Sequence, residues 1–295
     1  MRIRDLLKNG GRTISFEFYP PKNEVGEQQL AQTLEVLKTL HPSYISVTYG
    51  AMGTTRARTF EIAQMIKFEK QVESMAHLTC VGHTRADMTE ILQEIKDRGL
   101  ENVLGLRGDP PAGTDKFVKP KDGLGYASEL IALIRKEHGD YFSIGAAGYP
   151  EGHQECADKK KDLAYLKAKV DAGAEFIITQ LFFDNQDFFQ FRDTIRSMGV
   201  TVPVIAGIMP IANAKQIERF TKMCGAKIPA HVQTKLDGIG DDHEAVEAYG
   251  IEYASEQCRQ LWDNGVDGIH FYTLNKSKAS KQIYENLNLE GSYQK

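Results

Sequence analysis

The sequence predicts an α/β fold: a single (β/α)8 TIM barrel across residues 1–295, with extra helices before the eighth strand. Three observations carry this. Eight short apolar, β-prone runs recur along the chain, amphipathic stretches separate most of them, and a glycine stands at four of the helix-to-strand joints. Strands that alternate with helices pair in parallel through crossover helices. Eight such units close a barrel.

The runs are TISFEFYP (13–20), YISVTYG (44–50), ESMAHLTC (73–80) and NVLGLRGD (102–109), then YFSIGAAGYP (141–150), FIITQLFF (176–183), VPVIAGIMP (202–210) and DGIHFYTLN (267–275). Their β-branched and aromatic content suits buried strands. Between them, QQLAQTLEVLKTL (28–40) and MTEILQEIKDRG (88–99) carry the 3.6-residue period of a helix. RGLENVL from 98, AGAEFII from 172, MGVTVPV from 198 and NGVDGIH from 264 each set a glycine between helix and strand. There the left-handed conformation ends a helix without a Cβ clash. The segment 211–262 exceeds the length of one crossover, which is where the extra helices are expected. An open doubly wound sheet is the competing architecture, but neither GxGxxG after the first strand nor GxxxxGK[ST] occurs. No low-complexity tract or Pro/Ser-rich linker divides the chain.

Composition narrows the function. Hydrophobic residues at 41% and charged residues at 26% are ordinary for a globular protein. A net charge of -4 argues against a nucleic-acid partner and leaves room for a local basic pocket. Cysteines 80, 156, 224 and 258 form no CxxC pair, which favours reduced thiols over a disulfide framework or a zinc site. Neither a signal-peptide core nor a membrane-length apolar run is present, so a cytoplasmic protein without a membrane partner is expected. The oligomeric state is left open.

In a barrel the active site forms at the C-terminal ends of the strands. Polar residues gather there: Glu17, Thr48 and Tyr49, His77 and Thr79, the Arg107-Gly108-Asp109 turn, Tyr149, and Gln180. A carboxylate between Phe16 and Phe18 is costly to bury without a partner, which points Glu17 to function and its pKa upward. Asp109 fits a site carboxylate, a loop cap or an Arg107 partner equally. Gln180 among apolar neighbours reads as a ligand contact, and His77 alone as a core histidine. HLTC (77–80) has no second half of a metal site. DDHE (241–244) and KKK (159–161) read as solvated helix ends. Such a mouth suits a planar, partly charged ligand.

The motifs SFEFYPPK (15–22), SVTYGA (46–51), HLTC (77–80), LRGDPP (106–111), AGYPEGH (147–153), LKAKVDAGAEFIITQLFFD (166–184) and HFYTLN (270–275) closely resemble methylenetetrahydrofolate reductases. They fall in order from about position 13 to 288. The resemblance implies an FAD-containing (β/α)8 barrel that uses NADH or NADPH to reduce 5,10-methylenetetrahydrofolate to 5-methyltetrahydrofolate. It makes Glu17 the general acid and Asp109 the carboxylate beside flavin and pterin. Gln180, Gln216, Phe220 and Lys276 become folate contacts, with Gln180 meeting nicotinamide as well. Thr48, His77, Arg107, Gly108, Asp109, Ala127, Tyr149, His153, Asp162 and Lys169 become FAD contacts. Tyr165 and Ala168 stand where bacterial relatives carry asparagine and arginine on the FAD-binding helix, and Lys276 replaces an arginine. Inhibition by adenosylmethionine, which eukaryotic members owe to a further domain, is not expected. Lys276, Lys278 and Lys281 fit either a landing site for the folate glutamate or a solvated helix start.

The implied chemistry needs a proton to open the one-carbon bridge before hydride adds, which suits a buried glutamic acid. A carboxylate then stabilises the iminium cation that results. Folate and nicotinamide take turns at one flavin face, giving ping-pong kinetics. A flavin-free folate-binding or one-carbon methyltransferase barrel is the alternative, distinguished by a colourless protein. A metal-dependent aldolase-type barrel lacks a ligand cluster.

Overall fold

The computed structural model describes residues 1–50, 56–109, 117–289 and 293. Ala51 of the SVTYGA motif and Pro110 and Pro111 of LRGDPP lie outside them. Eight parallel strands close a barrel in chain order, β1 to β8, with β8 returning to pair with β1. They are β1 Thr13–Phe18, β2 Tyr44–Val47, β3 Ser74–Thr79, β4 Asn102–Leu106, β5 Ser143–Gly148, β6 Phe176–Thr179, β7 Val204–Ile208 and β8 Gly268–Tyr272. Each runs inside its expected range and stops one to four residues short of the predicted C-terminal end. The leftover residues, such as Thr48, Arg107 and Gln180, are the ones that line the mouth.

The helices begin where side chains satisfy their free N–H groups. Helix α2 (Glu24–Lys38) starts on Asn23, and α4 (Arg85–Asp97) on a capping box of Thr84 and Asp87, so both begin ahead of their apolar periodicity. Gly99, Gly173, Gly199 and Gly265 all have positive φ, as the joints require. The expected insertion consists of α8 (Ala214–Cys224), α9 (Ala230–Ile239) and α10 (His243–Asp263) between β7 and β8. It has its own apolar cluster, including Met209, Ile217, Val232, Leu236 and Val246. Helix α10 presses close to the backbone after β7: a Cβ on Gly250 would lie 1.8 Å from the Ile211 carbonyl oxygen.

Strand alternation divides the core. Ile14, Phe16 and Phe18 pack outward with Leu30, Leu34 and Leu37 of α2, while Ser15 and Glu17 face the barrel interior. Below them the interior is filled by Tyr44, Met75, Leu104, Phe176, Ile178 and Ile205. Helix α1 (Ile3–Leu6) closes the N-terminal end. Ile3 and Leu7 join the interior cluster, and the Ile3 and Arg4 N–H groups donate to Asn102 Oδ1 at 2.8 Å and Ser143 Oγ at 3.0 Å. No helix among the described residues is long and apolar enough to cross a membrane.

Candidate active site

A cavity of about 520 Å³ opens at the C-terminal mouth. Glu17, Thr48, His77, Arg107, Gly108, Asp109, Tyr149, His153, Gln180 and Phe220 line it, drawn from seven different positions around the barrel. A second lobe of about 280 Å³ shares Arg107, Tyr149 and His153 with the first and adds Ala127, Asp162, Tyr165 and Lys169. Gln216, one helical turn before Phe220 on α8, is not on the cavity wall, and neither is the exposed Lys276. Ala168 is also exposed and off the wall. Lys278 pairs with Glu247, and Lys281 lies 3.7 Å from Glu285.

Glu17 is the chemical centre of the first lobe. Its Oε2 lies 3.3 Å from His77 Nε2 and 3.4 Å from His270 Nε2. The expected cause of its burial needs correcting, because alternation turns Phe16 and Phe18 to the other face of β1. The expected upward pKa also fails. Burial pushes the carboxyl up, but the charge of His77, with the hydrogen bond and charge of His270, more than offsets it and holds Glu17 below the ordinary glutamate range. Burial in turn lowers His77, with Glu17 opposing. The protonation of Glu17 is thus linked to that of His77.

His270 is absent from the sequence-based candidates. The β1–β8 register sets it opposite Ser15, whose Oγ lies 2.7 Å from Nδ1, and leaves Nε2 facing Glu17 Oε2. Ser46 Oγ lies 3.3 Å from the same nitrogen. Only inter-strand register reveals this contact; the HFYTLN motif contains the residue without marking it.

His77 is not the satisfied core histidine that its sequence context suggests. Its Nε2 approaches Glu17 outside hydrogen-bonding geometry, so this buried atom has no hydrogen-bond partner, and neither does Thr79 Oγ1 beside it. Both residues line the mouth. Buried polar atoms without partners cost stability and point to a ligand that completes them. Gly108 has φ +92°, and a Cβ there would meet Val81 Cγ1 at 2.5 Å, so the backbone turns under the cavity only as glycine.

Arg107 forks onto Glu155 at 2.6 and 2.7 Å and donates from Nε to the Gly108 carbonyl at 3.1 Å. Its partner is therefore Glu155 rather than Asp109, which stands exposed on the rim. Gln180 accepts the Leu181 N–H on its own Oε1 at 2.9 Å, turning the side chain across the mouth. In the second lobe, Asp162 accepts the His153 N–H at 3.1 Å. Lys169 donates to the Ala147 carbonyl at 2.8 Å, and burial lowers its pKa to about 8. Burial likewise pushes Tyr149 up to about 12, with Asp109 and Asp162 adding to the shift.

The two connected lobes, the unpartnered His77 and Thr79 atoms and the glycine floor fit a long planar cofactor such as FAD. Helix α5 (Ala127–His138) adds to the fit. It has no side-chain N-cap, and its first residues Ala127 and Ser128 line the second lobe, so its positive end faces the cavity. Among the described residues, His, Cys, Asp and Glu form no group that could hold a metal.

Residues 2–288 match the family described as methylenetetrahydrofolate reductase. Methylenetetrahydrofolate reductase (NADH) 1 of Arabidopsis thaliana is 41% identical over 98% of this chain, which spans 50% of that relative. The 5,10-methylenetetrahydrofolate reductase of Escherichia coli is 40% identical over 94% of this chain and 91% of its own length. A nematode relative, 38% identical over 98% of this chain and 44% of its own, is named a probable methylenetetrahydrofolate reductase (NADPH). This chain thus spans about half the length of its plant and nematode relatives. A Clostridium thermocellum protein that binds two copies of 5-methyl-5,6,7,8-tetrahydrofolic acid has the same fold, with a TM-score of 0.63 over 97% of both chains at 16% identity.

Proposed function

Because the chain belongs to the methylenetetrahydrofolate reductase family, we propose that it reduces 5,10-methylenetetrahydrofolate to 5-methyltetrahydrofolate with NADH or NADPH and bound FAD. The observation that carries this reading is Glu17 set against two histidines inside a mouth lined by unpartnered polar atoms. His77, Thr48, Arg107, Gly108 and Asp109 would hold the flavin ring side of the cofactor. Ala127, Tyr149, His153, Asp162 and Lys169 would hold the rest. FAD, when bound, supplies hydride transfer.

The protein supplies the proton and the positioning. Glu17 is held ionised in the open cavity by the two histidines, and folate entering the mouth would make its surroundings less polar. Desolvation then raises the Glu17 pKa, so that its carboxyl takes up a proton and can deliver it to a bridge nitrogen. Ser15 fixes the His270 ring beside this carboxyl. Once the bridge opens, Asp109 on the rim stabilises the iminium cation electrostatically. Gln180 and Phe220 orient the pterin. Gln216 and Lys276, off the wall, meet the portion of folate that projects outward.

Separate anaerobic half-reactions test the assignment. Protein as purified should be yellow and should release FAD on acid denaturation. Its flavin should be bleached by NADH or NADPH and recoloured by methylenetetrahydrofolate. Comparing the two donors assigns the preference, which differs between the names of the plant and nematode relatives. A colourless folded protein, or flavin that folate does not reoxidise, overturns the reading.

A further inference from the structure

We propose that Glu151 and Gln154 form a clasp that holds the C-terminal end of α8 at the mouth, which makes them positioning residues for folate. The identity of the substrate rests on the reading above; the clasp rests on geometry. Both residues lie in the loop between β5 and α6 (Lys159–Asp171). Gln154 Nε2 donates to the Lys222 carbonyl, in the last turn of α8, at 2.9 Å. Just beyond that helix, both Glu151 carboxylate oxygens accept the Lys227 N–H, each at 3.1 Å. Between these contacts Gly225 turns the chain with φ +77°, and a Cβ there would meet Gln154 Cγ at 2.7 Å. The clasp therefore reaches from the loop after β5, past β6, to the helix after β7.

Helix α8 has little else to hold it. Of its 11 residues only Ile217 and Thr221 are buried, so apolar burial fixes it weakly to the barrel. Phe220, Met223 and Cys224 follow one another at three and four positions along one face and line the cavity. Met223 is 62% exposed there, an apolar side chain that a ligand in the mouth would cover. The loop is the firmer partner. Glu155 takes the Arg107 fork, Asp162 accepts the His153 N–H, and the Glu155 N–H donates to His153 Nδ1 at 3.1 Å. With a braced loop on one side and a thinly packed helix on the other, the clasp sets where the α8 wall of the cavity stands. A net hydrogen bond of ordinary strength shifts such an equilibrium by about fivefold.

Hydrogen exchange and steady-state kinetics test the clasp together. In the Glu151→Ala/Gln154→Ala double variant, exchange of amides 217–224 should speed by about tenfold or more, while the barrel strands keep the parent rate. The KM for methylenetetrahydrofolate should rise about tenfold, with kcat and flavin reduction by NADH or NADPH within about twofold of the parent. Gln154→Glu keeps the size but cannot donate to a carbonyl, so it should behave as Gln154→Ala. Glu151→Gln retains an accepting oxygen and should recover most of the parent KM. Flavin content and melting temperature should match the parent, which separates a loosened helix from a loosened barrel. Parent-like exchange in α8 of the double variant, or an unchanged folate KM despite faster exchange, overturns the clasp. Loss of flavin with equal slowing of both half-reactions would assign the loop to the cofactor alone and overturns it as well. A parent protein that does not turn over folate overturns the functional reading instead, and the exchange measurement, which needs no substrate, still judges the clasp.

Discussion

At Glu17, a carboxylate held ionised by two histidines has to become an acid, and ligand desolvation is the step that converts it. Glu17→Gln keeps the shape but cannot release a proton. The folate half-reaction should slow by roughly 10²–10⁴, the usual contribution of general acid catalysis, with nicotinamide oxidation close to normal. Stopped-flow traces of each half separately decide this, and a folate rate equal to that of the parent would move the acid elsewhere. Asp109→Asn should raise the flavin reduction potential, since a nearby negative charge disfavours the reduced anionic ring, and should slow folate turnover. Spectroelectrochemistry reads the first effect. Lys169 titrates near pH 8 in the flavin-free protein, well below the ordinary lysine value, because burial penalises its charge. The unfolded chain therefore binds the extra proton between about pH 8 and 10.5, and Lys169 adds stability as pH rises through that window. FAD affinity should run the opposite way and fall above pH 8, as a phosphate-facing cation is lost. Lys169→Met should flatten both profiles. Much of this was legible in the sequence only as residue type. The acid is visible in SFEF, but its partners come from strands 60 and 253 residues away, and Glu155 claims Arg107 across 48 residues.

Elements were the most legible scale. Period-two and period-3.6 patterns, joined by glycines of positive φ, fix eight strands and the crossover helices, because backbone geometry is local. The strand ends were overrun because β-propensity continues into residues such as Thr48, Tyr49 and Tyr149, which leave the sheet to line the mouth. Helix packing was not legible. Gly250 looks like a weak point inside α10, and Gly→Ala in a helix interior usually gains about 0.8–1 kcal/mol. Here the new methyl would fall on the Ile211 carbonyl, so Gly250→Ala should instead destabilise by about 1–3 kcal/mol through overpacking. Urea unfolding measures the sign directly. Since α10 supports the cluster beneath α8, folate affinity should weaken with it, and nicotinamide oxidation should change less.

For the whole molecule, the closed lower end is the feature with the widest reach. Ile3 is fully buried against the interior layer, so Ile3→Ala should cost about 2–5 kcal/mol of stability in a thermal or urea melt while leaving turnover at low temperature intact. That separation holds because the plug and the chemistry sit at opposite ends of the strands. Among the described residues, the plug and the filled layer above it leave the cavity to be reached through the upper opening. Two reactants that share one doorway form a queue, and whichever is in excess blocks the other's turn. Raising folate should therefore first speed turnover and then slow it, by occupying the resting enzyme before the electron donor arrives. A throttle of this kind would need no separate regulatory site: in the proposed reaction it follows from two reactants sharing the upper opening, and it would cap the output of methyl groups when their precursor is plentiful.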